Sequence, residues 1–312
     1  MNTSMDRKRL FIFLAIACGI SWLVALGLYL SQGRLNTSFS ALSGQLVVTL
    51  VVGFGYMWGP ALANILTRVL TREGWGHAFL RPNFRRGWPY WFLAWLGPVV
   101  LTVAGMVVYF LVFPEHYDAS MPLVREQLEA SGVTLNIPSW VYGLLQLPNV
   151  LLVGLVINSF FTFGEEFGWR AYLLQKLLPL GPRWAVVISG VIWGLWHWPM
   201  IAMGHNYGLN YAGAPWLGIL VMTWFTLWLG VILSWLVLRG GSVWPAVIGH
   251  AIINAVAGLG MIWVSGQPNL LLGPTAAGLV GGIGFTLAGL ILFLWPGALP
   301  GAESLSEKNE SA

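Results

Sequence analysis

The chain has 312 residues, of which 57% are hydrophobic and only 8% charged, with a formal net charge of +4. Soluble domains carry about one-quarter charged residues, so these proportions exclude a soluble enzyme, a disordered chain and an ordinary nucleic-acid-binding module. A multi-pass membrane protein fits, apolar both inside and toward lipid, and the mean hydropathy of +0.74 agrees.

A spanning helix needs about 20 apolar residues. Eight stretches qualify in chain order: 10–30, 42–69, 90–113, 139–163, 184–203, 216–238, 243–264 and 270–295. The first follows Arg7, Lys8 and Arg9 but is longer than the apolar region of a cleaved signal, about 7–15 residues. The single cysteine, Cys18, lies inside it, so no intrachain disulfide forms. With the N-terminus inside and eight crossings, 13 of the 15 Lys and Arg residues fall on the inner side and only Arg34 and Arg125 on the outer. That asymmetry is the positive-inside pattern. It puts both termini in the cytoplasm, with the plasma membrane of a prokaryote as the expected location.

The outer loop 114–138 holds Glu115, Asp118, Glu126 and Glu129, and a short surface helix is expected at 121–130. No linker or repeat divides the chain. The expectation is an all-α, polytopic membrane protein: one bundle of about eight transmembrane helices over 1–300, then a polar, disordered tail at 301–312.

Ionisable groups at membrane depth are costly and are functional hypotheses by default. Three clusters stand out: Glu165, Glu166 and Arg170 in the fourth segment, Trp193 and His197 in the fifth, His250 and Asn254 in the seventh. Within each cluster a pair is spaced four apart, which puts both members on one helix face. His197 and His250 lie about 20 Å and 12 Å into their helices at about 1.5 Å per residue, within the hydrocarbon layer. Three such stripes can enclose a wet cavity. A carboxylate beside an imidazole can deprotonate water, and a second imidazole with a carboxamide can donate to a developing oxyanion. That set suits amide hydrolysis without a covalent nucleophile.

The run Glu165-Glu166-x-x-x-Arg170, the run Trp193-x-x-x-His197 and the run His250-x-x-x-Asn254 resemble, in this order, the EExxxR, FxxxH and Hxxx(N/D/B) motifs of the CAAX prenyl protease 2 family. That superfamily is also called CPBP or Abi, and it includes bacteriocin-processing and self-immunity proteins. The resemblance covers about 161–255. It implies an eight-span intramembrane endopeptidase acting on membrane-associated or prenylated (CAAX-type) peptides near the cytosolic leaflet. It gives Glu165 the activation of water, His197 its assistance, His250 and Asn254 the oxyanion hole, and Glu166 with Arg170 the ordering of the site. Trp193 replaces the family's Phe, and the exchange is expected to bear on packing beside His197 more than on chemistry.

The family also carries a metalloprotease label. Zinc takes three protein ligands plus water at a catalytic site, and Glu165, Glu166, His197 and His250 could supply them. No HExxH is present, and carboxylate-activated water needs no metal, so the reading here is cofactor-free with Zn as the alternative. The partners expected are membrane lipids and a lipid-embedded peptide, and no nucleic acid. The only aspartates, Asp6 and Asp118, lie outside the spans, which excludes an aspartyl intramembrane protease. The rival from another class is a transporter, or a self-immunity or binding protein, using the same buried polar cluster.

Overall fold

The computed structural model describes residues 5–32, 47–76, 78–130, 132 and 137–301. Its helices are α1 (Arg7–Gln32), α2 (Val47–Leu70), α3 (Phe84–Val112), α4 (Pro122–Ala130), α5 (Ser139–Pro148) and α6 (Leu155–Gly168), followed by α7 (Pro182–Trp196), α8 (Trp198–Ala202), α9 (Trp216–Gly240), α10 (Trp244–Val256) and α11 (Ile283–Leu294). Among the described residues β pairing is confined to an isolated bridge between Tyr117 and Val264. The protein is an all-α polytopic membrane protein. Five helical stretches are long and apolar enough to cross a bilayer: Arg7–Ser31, Val47–Leu70, Gly87–Val112, Trp216–Gly240 and Trp244–Trp263. The expected surface helix is α4. The tail expected to be disordered lies, from residue 302 on, outside the described residues.

Three of the eight expected spans depart most from a single regular helix, while the second carries a π-helical turn at Val51–Tyr56 and the seventh ends in a 3-10 turn at Leu259–Trp263. In the fourth, α5 ends at Pro148 and a wide π-helical turn, Asn149–Gly154, leads into α6, which runs past the expected end to Gly168. Proline lacks the N–H that an inner helical turn requires. In the fifth, α7 stops at Trp196, and the chain restarts as α8 with Pro199 in its first turn. In the eighth, only the twelve residues of α11 are helical, and 270–282 is a series of turns. Glycines allow those turns: Gly273 sits at φ +140°, and a Cβ on Gly282 would lie 2.5 Å from the Ala276 carbonyl oxygen. Irregular backbone survives at membrane depth where protein covers it, and Ala276 and Ala277 are buried.

Small residues bring the polar segments together. Gly164 and Gly168, four apart, seat α6 against α2, where a Cβ on Gly164 would come 2.7 Å from the Met57 carbonyl oxygen. Gly190 and Gly194, also four apart, seat α7 against α9, where a Cβ on Gly194 would lie 2.7 Å from Thr223 Cα. This spacing permits close helix approach in lipid, where water supplies no driving force between helices. Polar ties join α6 to α10: the Thr162 hydroxyl donates to Val247 O (3.0 Å) and the Asn158 amide to Ala251 O (3.3 Å).

Beyond the end of α2, Glu73 gathers four groups from three segments. Lys176 Nζ (2.5 Å) and Arg68 Nη1 (3.8 Å) meet its Oε1, while the Tyr172 hydroxyl (3.1 Å) and Arg9 Nε (3.4 Å) meet its Oε2. Burial alone would push the Glu73 carboxyl up, but the bond and charge of Lys176, with Arg68 and Tyr172, outweigh it and hold the group below its ordinary range.

Candidate active site

Glu165 and Glu166 close α6, and both are buried. The helix then widens into the π-helical turn Trp169–Leu173, where the Trp169 N–H bonds back to the Glu165 and Glu166 carbonyls and Arg170 turns inward. Such single π turns recur at functional sites because they re-aim one side chain without ending the helix. Arg170 Nη1 donates to Glu166 Oε1 at 2.9 Å, and the pair is 1% and 0% exposed. The expected four-apart pairing is therefore present. The guanidinium also lies over the Trp193 ring, 4.1 Å from its centroid. Gly230 of α9 lies beside it, and a Cβ there would come 3.2 Å from Gly190 Cα and 3.5 Å from Arg170 Nη2.

His250, buried in α10, reaches the same carboxylate: its Nδ1 lies 2.8 Å from Glu166 Oε1. A carboxylate oxygen only accepts, so Nδ1 is the protonated nitrogen. Nε2 is then a lone-pair acceptor on the neutral ring and a donor only on the imidazolium.

The third element arrives through Trp193 of α7. Its indole N–H donates to Glu165 Oε2 at 2.8 Å. Its carbonyl accepts from His197 Nδ1 at 2.8 Å. Its ring stands edge-on to His250, with centroids 5.2 Å apart, and 5.6 Å from the His197 ring. The Phe-to-Trp exchange, expected to bear on packing more than on chemistry, also places an indole N–H directly on Glu165. The helix end makes this geometry possible. The His197 N–H bonds to Gly194 O (3.1 Å), three residues back, which leaves the Trp193 carbonyl open for the imidazole.

Six of the seven residues singled out in the sequence, Glu165, Glu166, Arg170, Trp193, His197 and His250, are thus joined through contacts that pass by Trp193 or Glu166. Asn254 is not joined. It lies one turn beyond His250, near the end of α10, and is exposed, and among the described residues no hydrogen bond connects it to the others. Helical spacing puts it on the stripe of His250, but the stripe leaves the protein interior there. Tyr56 is a residue that motif reading missed. Its hydroxyl donates to the Trp196 carbonyl, which also accepts the Trp22 indole N–H at 3.1 Å, and together they hold the break beside His197.

The arrangement does not fit a metal cage. Among the described residues no three His, Cys, Asp or Glu side chains converge to hold one. The oxygen of Glu166 that faces His250 is also taken by the Arg170 cation, which repels a second positive charge. What the site offers, among the described residues, is a carboxylate with one oxygen bonded, an imidazole whose Nδ1 alone is engaged, and a buried Glu166 Oε2 without a partner. Such groups can bind and deprotonate water.

Residues 132–256 match the sequence model of the family described as type II CAAX prenyl endopeptidase, Rce1-like. One relative is the CAAX prenyl protease 2 of the archaeon Methanococcus maripaludis, 32% identical over 103 residues, covering 29% of this chain and 34% of that protein. The chain thus aligns with about a third of that relative's length. All three motifs, with Glu165, Glu166, Arg170, His197, His250 and Asn254, fall inside 132–256, the stretch over which the chain is similar to the Rce1-like CAAX prenyl endopeptidases.

Proposed function

We propose that this protein is an intramembrane endopeptidase that hydrolyses a peptide bond in a membrane-associated, prenylated substrate, using water activated by Glu165 and His197. The observation that carries the reading is that Glu165 and His197 are both fixed on Trp193, each by one polar atom, with the other atom bonded to no group among the described residues. The family match over the same residues supports it.

In this reading water sits between the open Glu165 oxygen and His197 Nε2. Glu165 takes one proton as the water oxygen bonds to the peptide carbonyl carbon. His250, held by its Nδ1–H bond to Glu166, is assigned with Asn254 to the side of the site where the oxyanion forms. Asn254, exposed one turn further along α10, offers its own side-chain N–H to that oxygen. Glu165 then returns its proton to the departing amine as the C–N bond breaks. No step uses a metal, and both termini, with the reacting face, are cytoplasmic.

The test is turnover by purified protein in nanodiscs. A farnesylated CAAX peptide gives two fragments by mass spectrometry, and phenanthroline leaves the rate unchanged. The same peptide without its prenyl group and an unlipidated membrane-spanning peptide sort the substrate class. Intact peptides throughout, with residue-dependent solute flux in proteoliposomes instead, overturn the reading in favour of a transporter. Loss of activity to the chelator, with rescue by zinc, overturns the cofactor-free mechanism.

A further inference from the structure

We propose that Trp193 is the positioning residue of the water-activating pair, orienting Glu165 with its indole N–H and selecting the His197 tautomer with its carbonyl. The inference rests on the endopeptidase reading and deepens it.

Two different parts of one residue act on two different groups. The carbonyl has no proton, so the 2.8 Å contact makes His197 Nδ1 the donor and leaves Nε2 with its lone pair. The indole nitrogen is a donor only, so the 2.8 Å contact makes Glu165 Oε2 the acceptor and leaves the second oxygen to water. The donor cannot swing away. Trp193 is 2% exposed and is flanked by the Arg170 guanidinium and by the rings of His250 and His197. A phenylalanine keeps the aromatic face toward Arg170 but has no N–H, so the bond to Glu165 is the part specific to tryptophan. The charged and titratable groups around Glu165 are Glu166 and Arg170 on its own segment, His250 on α10 and Tyr56 on α2, with His197 across the indole. Only the indole N–H bonds Glu165 directly through its side chain among the described residues.

The experiment is a pH–rate profile of Trp193→Phe on the nanodisc-bound prenylated peptide. Loss of one hydrogen bond to a charged acceptor is expected to lower kcat roughly 10- to 100-fold. KM is expected to change by less than about two-fold, since the bond acts on water and not on substrate. The acid limb of kcat moves to higher pH, because the carboxylate loses a donor that favours its charged form. Substitution of Trp193 by 3-benzothienylalanine, which puts sulfur in place of N–H on the same ring shape, gives the same three changes and separates the lost bond from misfolding. Wild-type kcat and an unmoved acid limb in the benzothienyl protein overturn the inference, as does a loss confined to KM. Wild-type turnover that Glu165→Ala abolishes upholds the endopeptidase reading in either case, and a wild-type protein without turnover removes both.

Discussion

Two buried or half-buried ionic clusters occupy this bundle, and they are built on opposite terms. At Glu73 one carboxylate meets three cations and a hydroxyl, so each oxygen has two partners. At the candidate active site two carboxylates share one permanent cation, Arg170, and Glu166 Oε2 has no partner among the described residues. The first cluster is over-supplied and half-open, with Glu73 16% exposed; the second is under-supplied and closed, with Glu166 0% exposed. A saturated carboxylate ties helix ends together. An unsaturated pair held in low dielectric keeps free lone pairs for chemistry, at a cost in stability.

The comparison is broken first at Arg170. Arg170→Leu leaves Glu166 buried without its cation and is expected to cost about 3–5 kcal/mol, read as a fall in the unfolding midpoint in detergent. Adding Glu166→Gln to that variant should restore most of the loss, because no uncompensated charge remains. A loss under about 1 kcal/mol for Arg170→Leu would show the pair to be solvated and the contrast void.

Glu73 is expected to give a smaller response because its partners are many. Glu73→Gln should cost about 1–3 kcal/mol at neutral pH. The folded carboxyl is held below its ordinary range, so its stabilisation is complete above about pH 4.3 and is lost as the pH falls through the lower folded value. The gap between wild type and Glu73→Gln should therefore close in acid. A gap that stays constant down to pH 2 contradicts the hub. Smallest is Tyr172→Phe, at about 1 kcal/mol or less, since it keeps the ring beneath Arg68 and Lys176 and removes one of two partners from Glu73 Oε2. A larger loss would mean that the hydroxyl, and not the cations, holds Glu73.

Much of the bundle was legible because apolar run length answers directly to bilayer thickness, and α1, α2, α3, α9 and α10 follow the expected runs. The failures share a cause. Composition registers that 270–295 is apolar, but not that Gly273, Gly281 and Gly282 let backbone pack on backbone in place of a helix. In the site, Glu166 and Arg170 were legible from four-residue spacing, because both ends of that contact lie on one segment. The Glu166–His250 bond spans 84 residues and the Trp193–Glu165 bond 28, and no local pattern encodes them. A signal was present in the glycines spaced four apart on either side, Gly164 with Gly168 and Gly190 with Gly194, which mark where helices close in. Asn254 stands apart from the bonded group for the reverse reason: spacing assigns a face but says nothing of where the protein interior ends.

The central claim is that Glu165 is the group that activates water. Glu165→Gln keeps the shape and the acceptor for the Trp193 N–H but cannot take a proton. Measured on the prenylated peptide in nanodiscs, kcat should fall by about 10²–10⁴-fold with an unfolding midpoint no lower than wild type. Cleavage at the wild-type rate by a folded Glu165→Gln protein would contradict the account.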